Sequence, residues 1–167
     1  RGFWKRKFHL FCVGTGKSGT HSIASIFSEK YRVMHEPDAD SLIRVILEKD
    51  MLSIERYLLS FENKFQLDVN ASNLNLYIAE HLKSLFPESL FVLTVRNPVE
   101  FAESYINHSN DRQASTEWLK MRERRFGVHL EYELEDEPAK KLGIYTLKNY
   151  IKYWEEHNAK ILDTFEG

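Results

Sequence analysis

The chain has 167 residues, 43% of them hydrophobic and 13% aromatic, with a formal charge of −2 and one cysteine. That length supports one domain with a sizeable core, and the composition excludes a disordered chain. The small net charge excludes a broad nucleic-acid-binding face, no apolar run approaches a membrane span, and Cys12 lacks a partner for an internal disulfide, so it reads as a small buried hydrophobe.

The apolar run Phe8-His9-Leu10-Phe11-Cys12-Val13 predicts a first strand. It leads into Gly14-Thr15-Gly16-Lys17-Ser18-Gly19-Thr20-His21, which holds three of the seven glycines. Ile23, Ile26 and Phe27 then recur at helical spacing. A strand, a glycine-rich turn and a helix N-terminus in that order build an anion cradle. Amide groups there have no intrahelical partner, the helix dipole favours negative charge, and Lys17 adds a full positive one. The spacing is not that of a Walker A loop, G-x-x-x-x-G-K-[ST], whose first glycine would fall on Phe11.

Further along, Tyr31-Arg32-Val33-Met34 predicts a short second strand ending at His35-Glu36-Pro37. Leu42, Ile43, Ile46 and Leu47 mark one helix, and Ile54, Leu58 and Phe61 another. Phe65-Gln66-Leu67-Asp68-Val69-Asn70 alternates like a third strand, and Leu74, Ile78, Leu82 and Leu85 mark a helix that Pro87 stops. The nearly continuous apolar run Leu90-Phe91-Val92-Leu93-Thr94-Val95 predicts a central parallel strand covered on both faces. Asn97 suits an N-cap, Pro98 the first helical position and Glu100 the acid of a capping box, so the next helix starts directly after Arg96.

A polar stretch from Arg122 through Glu137 precedes a last long helix with the stripe Leu147, Ile151, Trp154, Ile161, Leu162 and Phe165. The repeated β-α units imply an α/β fold: three layers, an open, mostly parallel sheet of about four to five strands and helices on both faces, as in P-loop NTPases. Ligands of such sheets bind beyond the carboxyl ends of the strands, so Gly14, His35, Asn70 and Arg96 are expected to share one rim. Arg96 leaves a strand at that rim with a fork of donors suited to phosphate oxygens, and Ser104 lies about two turns into the helix that follows.

Together the two segments resemble the sulfotransferase superfamily that uses 3′-phosphoadenosine-5′-phosphosulfate (PAPS). Gly16-Lys17-Ser18-Gly19-Thr20 is similar to its 5′-phosphosulfate loop, and Val95-Arg96-Asn97-Pro98 with Ser104 is similar to its 3′-phosphate motif. The resemblance covers roughly residues 8–110. It implies that Gly16, Lys17, Ser18, Gly19 and Thr20 hold the 5′-phosphosulfate, with His21 where a second Thr is common, and that Arg96 and Ser104 hold the 3′-phosphate. It implies sulfuryl transfer to a hydroxyl or amine of an acceptor (carbohydrate, lipid, peptide or small alcohol), with adenosine 3′,5′-bisphosphate as product. Lys17 would stabilise the leaving phosphate without a metal, since catalysis of this kind is mostly positioning and electrostatics. Tyrosylprotein and heparan sulfotransferases place a catalytic Glu at a location comparable to Glu36, the first choice for general base. His35 is the second, as cytosolic members use a His. Strand alternation directs these two side chains to opposite sides.

The remaining polar residues read more openly. Asn70, Ser72 and Asn73 suit either an acceptor pocket or a plain turn, His81 and His108 a helix surface, and Arg122, Arg124 and Arg125 either an anionic acceptor or a solvated basic face. The resemblance implies one sulfotransferase-like domain over residues 1–167, with a further strand and a closing loop expected beyond Gly167. Bacterial members of the superfamily are cytoplasmic and animal ones often face the Golgi lumen, so no compartment follows. Two other classes share the strand–loop–helix: a P-loop nucleotide or small-molecule kinase, which needs the longer loop and a magnesium carboxylate, and a non-catalytic nucleotide-binding module.

Overall fold

Leu10, Phe11, Cys12 and Val13 are all buried, with alternate side chains facing separate apolar clusters, and this two-sided burial makes the run an interior strand. The structure, a computed structural model, describes residues 6–111, 114–127 and 130–166. Four short strands, β1 (Leu10–Cys12), β2 (Val33–His35), β3 (Val69–Ala71) and β4 (Leu90–Val92), form one parallel sheet in the order β2-β3-β1-β4. Around it pack eight α-helices among the described residues: α1 (Thr20–Phe27), α2 (Ala39–Glu48), α3 (Met51–Phe65), α4 (Ala79–Leu85), α5 (Pro98–Asp111), α6 (Thr116–Phe126), α7 (Glu137–Lys141) and α8 (Leu147–Phe165). The α/β class, the parallel sheet and its helices agree with the sequence reading.

The alternation along β1 sorts the helices into layers. Leu10 and Cys12 pack with Val69, Ala71 and Ala24 of α1 on one face. Phe11 packs on the other with residues of α2, α3, α4 and α6, among them Ile43, Leu58, Leu82 and Met121. Val13 joins Ala79 and Ile161, which brings α8 to the same side. Burial pushes the Cys12 thiol up to about 11, as for an inert core thiol. No helix among the described residues is long and apolar enough to cross a membrane.

Several boundaries and faces differ from the sequence reading. β4 is an edge strand, hydrogen-bonded to β1 alone, and Leu90 and Val95 at the ends of its apolar run are 57% and 54% exposed. The central positions go to β1 and β3, because β4 follows the inner strand rather than separating two others. The third strand starts only at Val69: α3 runs on through Phe65, and Gln66 closes it in the left-handed conformation at φ 46°. Residues 75–78 form a 3₁₀ turn ahead of α4. Ile26 is 71% exposed, and Thr20 and Ala24 take the inner face of α1.

Two further corrections concern the C-terminal half. Arg122 and Arg125 lie in α6 rather than in a polar connection. The inner face of α8 carries Asn149, Tyr150, Tyr153, Asn158 and Ile161, while Leu147 and Leu162 are exposed. α5 starts at Pro98 as expected, and Asn97 Oδ1 accepts from the Val99 N–H at 3.0 Å. Glu100 departs from the capping box by taking Arg96 Nε at 3.1 Å.

Candidate functional site

Three contacts shape the loop between β1 and α1. Gly14 sits where a Cβ would collide with Thr94 Oγ1 and lie 2.7 Å from the Thr94 carbonyl oxygen, so the loop can pass the end of β4 only without a side chain. A Cβ on Gly16 would run into the Tyr105 hydroxyl. Gly19 caps α1 at φ 115° with open space around it, so its torsion and not crowding calls for glycine. Ser18 Oγ donates to Thr15 O at 2.6 Å and meets Thr94 Oγ1 at 2.8 Å. Its hydroxyl thus ties the loop to the end of β4, and Ser18 is not among the residues lining the cavity beside it.

That cavity is about 560 Å³, within the range of small-molecule pockets. Gly16, Lys17, Gly19, Thr20 and His21 line it from the loop, His35 and Glu36 from the end of β2, Asn73 from beyond β3, and Arg96 and Ser104 from the β4–α5 junction. Strand ends far apart in sequence meet there because the parallel sheet points all its carboxyl ends one way. Arg96 Nη1 donates to Lys17 O at 3.5 Å, so the two motifs adjoin.

His35 and Glu36 line the same cavity, contrary to the alternation expected of a strand. Glu36 has left the extended conformation for φ 49°, which turns its side chain back to the side His35 faces. The Glu36 carboxylate accepts from Asn73 Nδ2. His35 Nε2 lies 3.4 Å from Thr20 Oγ1, and its ring centroid 5.1 Å from that of His21. Although His35 is exposed at the strand end, partial burial of its ring is the largest cause holding its pKa below the usual value; Glu36 opposes this, and His21 and Lys17 add to it. At neutral pH the imidazole is therefore uncharged and able to accept a proton.

The sequence reading left the opposite wall open between an anionic-acceptor site and a solvated basic face. Arg122 and Arg125 of α6 line the cavity with Trp118, and so do Tyr105 and His108 of α5. Arg125 donates from Nε to Tyr77 Oη at 2.9 Å, from Nη1 to Tyr105 Oη at 3.3 Å and from Nη2 to Asn73 Oδ1 at 2.5 Å. Its guanidinium also lies 5.5 Å from the Trp118 ring. Burial pushes the Tyr105 hydroxyl up to about 12. Asn73 thereby joins Arg125 to Glu36, and Tyr105 joins it to the loop at Gly16. Arg124 instead donates to Ile46 O at 2.9 Å, away from the cavity. A solvated basic face is thus corrected for Arg125 and Arg124, and a plain helix surface for His108. The signal available was spacing: residues 118, 122 and 125 fall on one helix face.

Of the polar residues in and after β3, Asn73 reaches the cavity, while Asn70, within the strand, and Ser72 are buried and do not line it. Among the described residues no group of three or more His, Cys, Asp or Glu side chains could hold a metal ion. The donor set facing the cavity is an ammonium, guanidinium groups, the hydroxyls of Thr20 and Ser104 and the start of α1. Such a set fits a ligand with two separate anionic ends. No protein-family model matches the chain, and no curated protein matches it in sequence.

Proposed function

We propose that the protein transfers a sulfuryl group from PAPS to a hydroxyl or amine of an acceptor. One observation carries this reading: the glycine-rich loop with Lys17 and the Arg96 motif adjoin in a cavity that Glu36 also lines. The donor, when bound, supplies an activated sulfuryl group on its 5′-phosphate. Lys17 and the amides at the start of α1 hold the negative charge that gathers on the departing phosphate oxygen. Arg96 and Ser104 hold the 3′-phosphate, and Gly16, Gly19, Thr20 and His21 shape the loop end. Glu36 takes the proton of the acceptor as its oxygen or nitrogen bonds to sulfur, and Asn73 keeps the carboxylate aimed. His35, uncharged at neutral pH, is the second candidate for that proton. The electron pair of the broken bond leaves with the phosphate, so no metal is required by this scheme.

Calorimetry with adenosine 3′,5′-bisphosphate and with ATP plus magnesium, followed by transfer assays from a radiolabelled donor, tests the reading. The bisphosphate is expected to bind more tightly. Lys17→Ala should weaken that binding, while Glu36→Gln should keep it and lose transfer by at least about a hundredfold. Tighter binding of magnesium ATP would point to a kinase. Tight bisphosphate binding without transfer to any acceptor class would point to a non-catalytic module.

A further inference from the structure

Among the described residues, four cationic side chains, Lys17, Arg96, Arg122 and Arg125, line the cavity against the one carboxylate of Glu36, although the chain as a whole is acidic. Two of the four play no part in the donor site argued above. Arg122 and Arg125 share one face of α6 with Trp118. The hydrogen-bond partners of Arg125 are two phenol hydroxyls and an amide oxygen, all neutral. Arg122 faces the cavity and makes no hydrogen bond or ion pair with a described residue. A guanidinium kept from water without a counter-anion is costly, and each Nη of Arg125 has a second N–H beyond the one already used. Arginine presents these donors in a fork that matches carboxylate, sulfate or phosphate. Beside them the half-buried Trp118 offers a ring face.

We infer that this α6 wall is the acceptor subsite, and that the acceptor carries an anionic group in addition to the hydroxyl or amine that is modified. The inference rests on the sulfuryl-transfer reading of the cavity. Through Asn73, Arg125 is one side chain removed from Glu36. A molecule anchored by its anion on Arg122 and Arg125 therefore presents its remaining part towards the base. The ring of Trp118 suits a sugar or an aromatic ring in that molecule.

The test uses the protein saturated with adenosine 3′,5′-bisphosphate and two matched probe pairs, glucuronate against glucose and 4-hydroxyphenylacetate against 4-hydroxyphenylethanol. In at least one pair the anionic member is expected to bind about tenfold or more tightly, since a hydrogen bond to a charged group carries that much. Arg122→Ala should remove the preference, Arg122→Lys should keep part of it, and both should bind the bisphosphate within about twofold of the wild type. Equal affinities within both pairs would overturn the inference while leaving the donor reading intact. A loss of bisphosphate affinity in Arg122→Ala as large as that in Lys17→Ala would assign the wall to the donor and overturn it as well. Failure of the wild type to bind the bisphosphate at all would remove the donor reading and the inference with it. Arg122 is only partly buried, so its variants keep the test open should Arg125 variants fail to fold.

Discussion

At Gly14 the space left for a side chain is filled by Thr94, two residues beyond β4. The obstruction includes the carbonyl oxygen of Thr94, which is backbone and cannot swing aside as a flexible side chain would. Thr94 Oγ1 is also tied to Ser18. Gly14→Ala should therefore cost about 1–3 kcal/mol, as overpacking does, read as a lower urea midpoint together with weaker bisphosphate binding. Unchanged stability would show that the loop can lift away from β4. Glycines, a lysine among them and an arginine just before a capped helix are local signals, so Lys17, Arg96 and Glu36 were legible as candidates from the chain alone. For Arg125 the chain left two readings open, because its meaning comes from Asn73, which lies 52 residues away.

The face of α8, read rightly at Ile151, Trp154, Ile161 and Phe165 but wrongly at Leu147 and Leu162, shows the same limit for a whole element. Counting aliphatic residues favours Leu147 and Leu162, yet Tyr153 and Asn149 are buried with polar tips that find partners. Tyr153 Oη lies 3.0 Å from Tyr77 Oη, and Asn149 Nδ2 donates to Phe126 O at 2.8 Å. His157 of α8 packs against Tyr153 with ring centroids 4.0 Å apart. Burial above all lowers its pKa to about 4, against the opposing pull of its bond to Tyr153 O. The folded pKa is below that of the unfolded chain, so the unfolded chain takes up the proton first on acidification. The stability tied to a neutral His157 is complete above about pH 6.5 and is lost as the pH falls towards 4. His9, also lowered to about 4 by burial, acts in the same direction. Urea midpoints should fall between pH 7.5 and pH 5.5 by the equivalent of about 1 kcal/mol per histidine, and His157→Gln should reduce that fall. Parallel profiles for variant and wild type would count against this account.

On the scale of the molecule, apolar clusters on both faces hold the sheet between layers, and each helix contributes according to which cluster it meets. Leu82 is fully buried in the larger cluster with Phe11 and Ile43, whereas Ile26 is mostly exposed. Leu82→Ala should cost about 2–5 kcal/mol and Ile26→Ala no more than about 0.5 kcal/mol, measured by chemical denaturation. A comparable cost at both positions would mean that α1 buries a different face from the one described.

The α/β class, the start of α5 and the glycine-rich loop after β1 follow from the chain alone, because glycine torsions, caps and apolar runs act over a few residues. Sheet order is different: whether an apolar run becomes a central or an edge strand depends on which segments pack beside it, and β4 shows this. Tertiary structure likewise decided that His35 and Glu36 face one cavity, through the turn at Glu36, and that α6 closes it with Arg122 and Arg125. Those outcomes depend on side chains meeting across elements, and no spacing along a single segment encodes them.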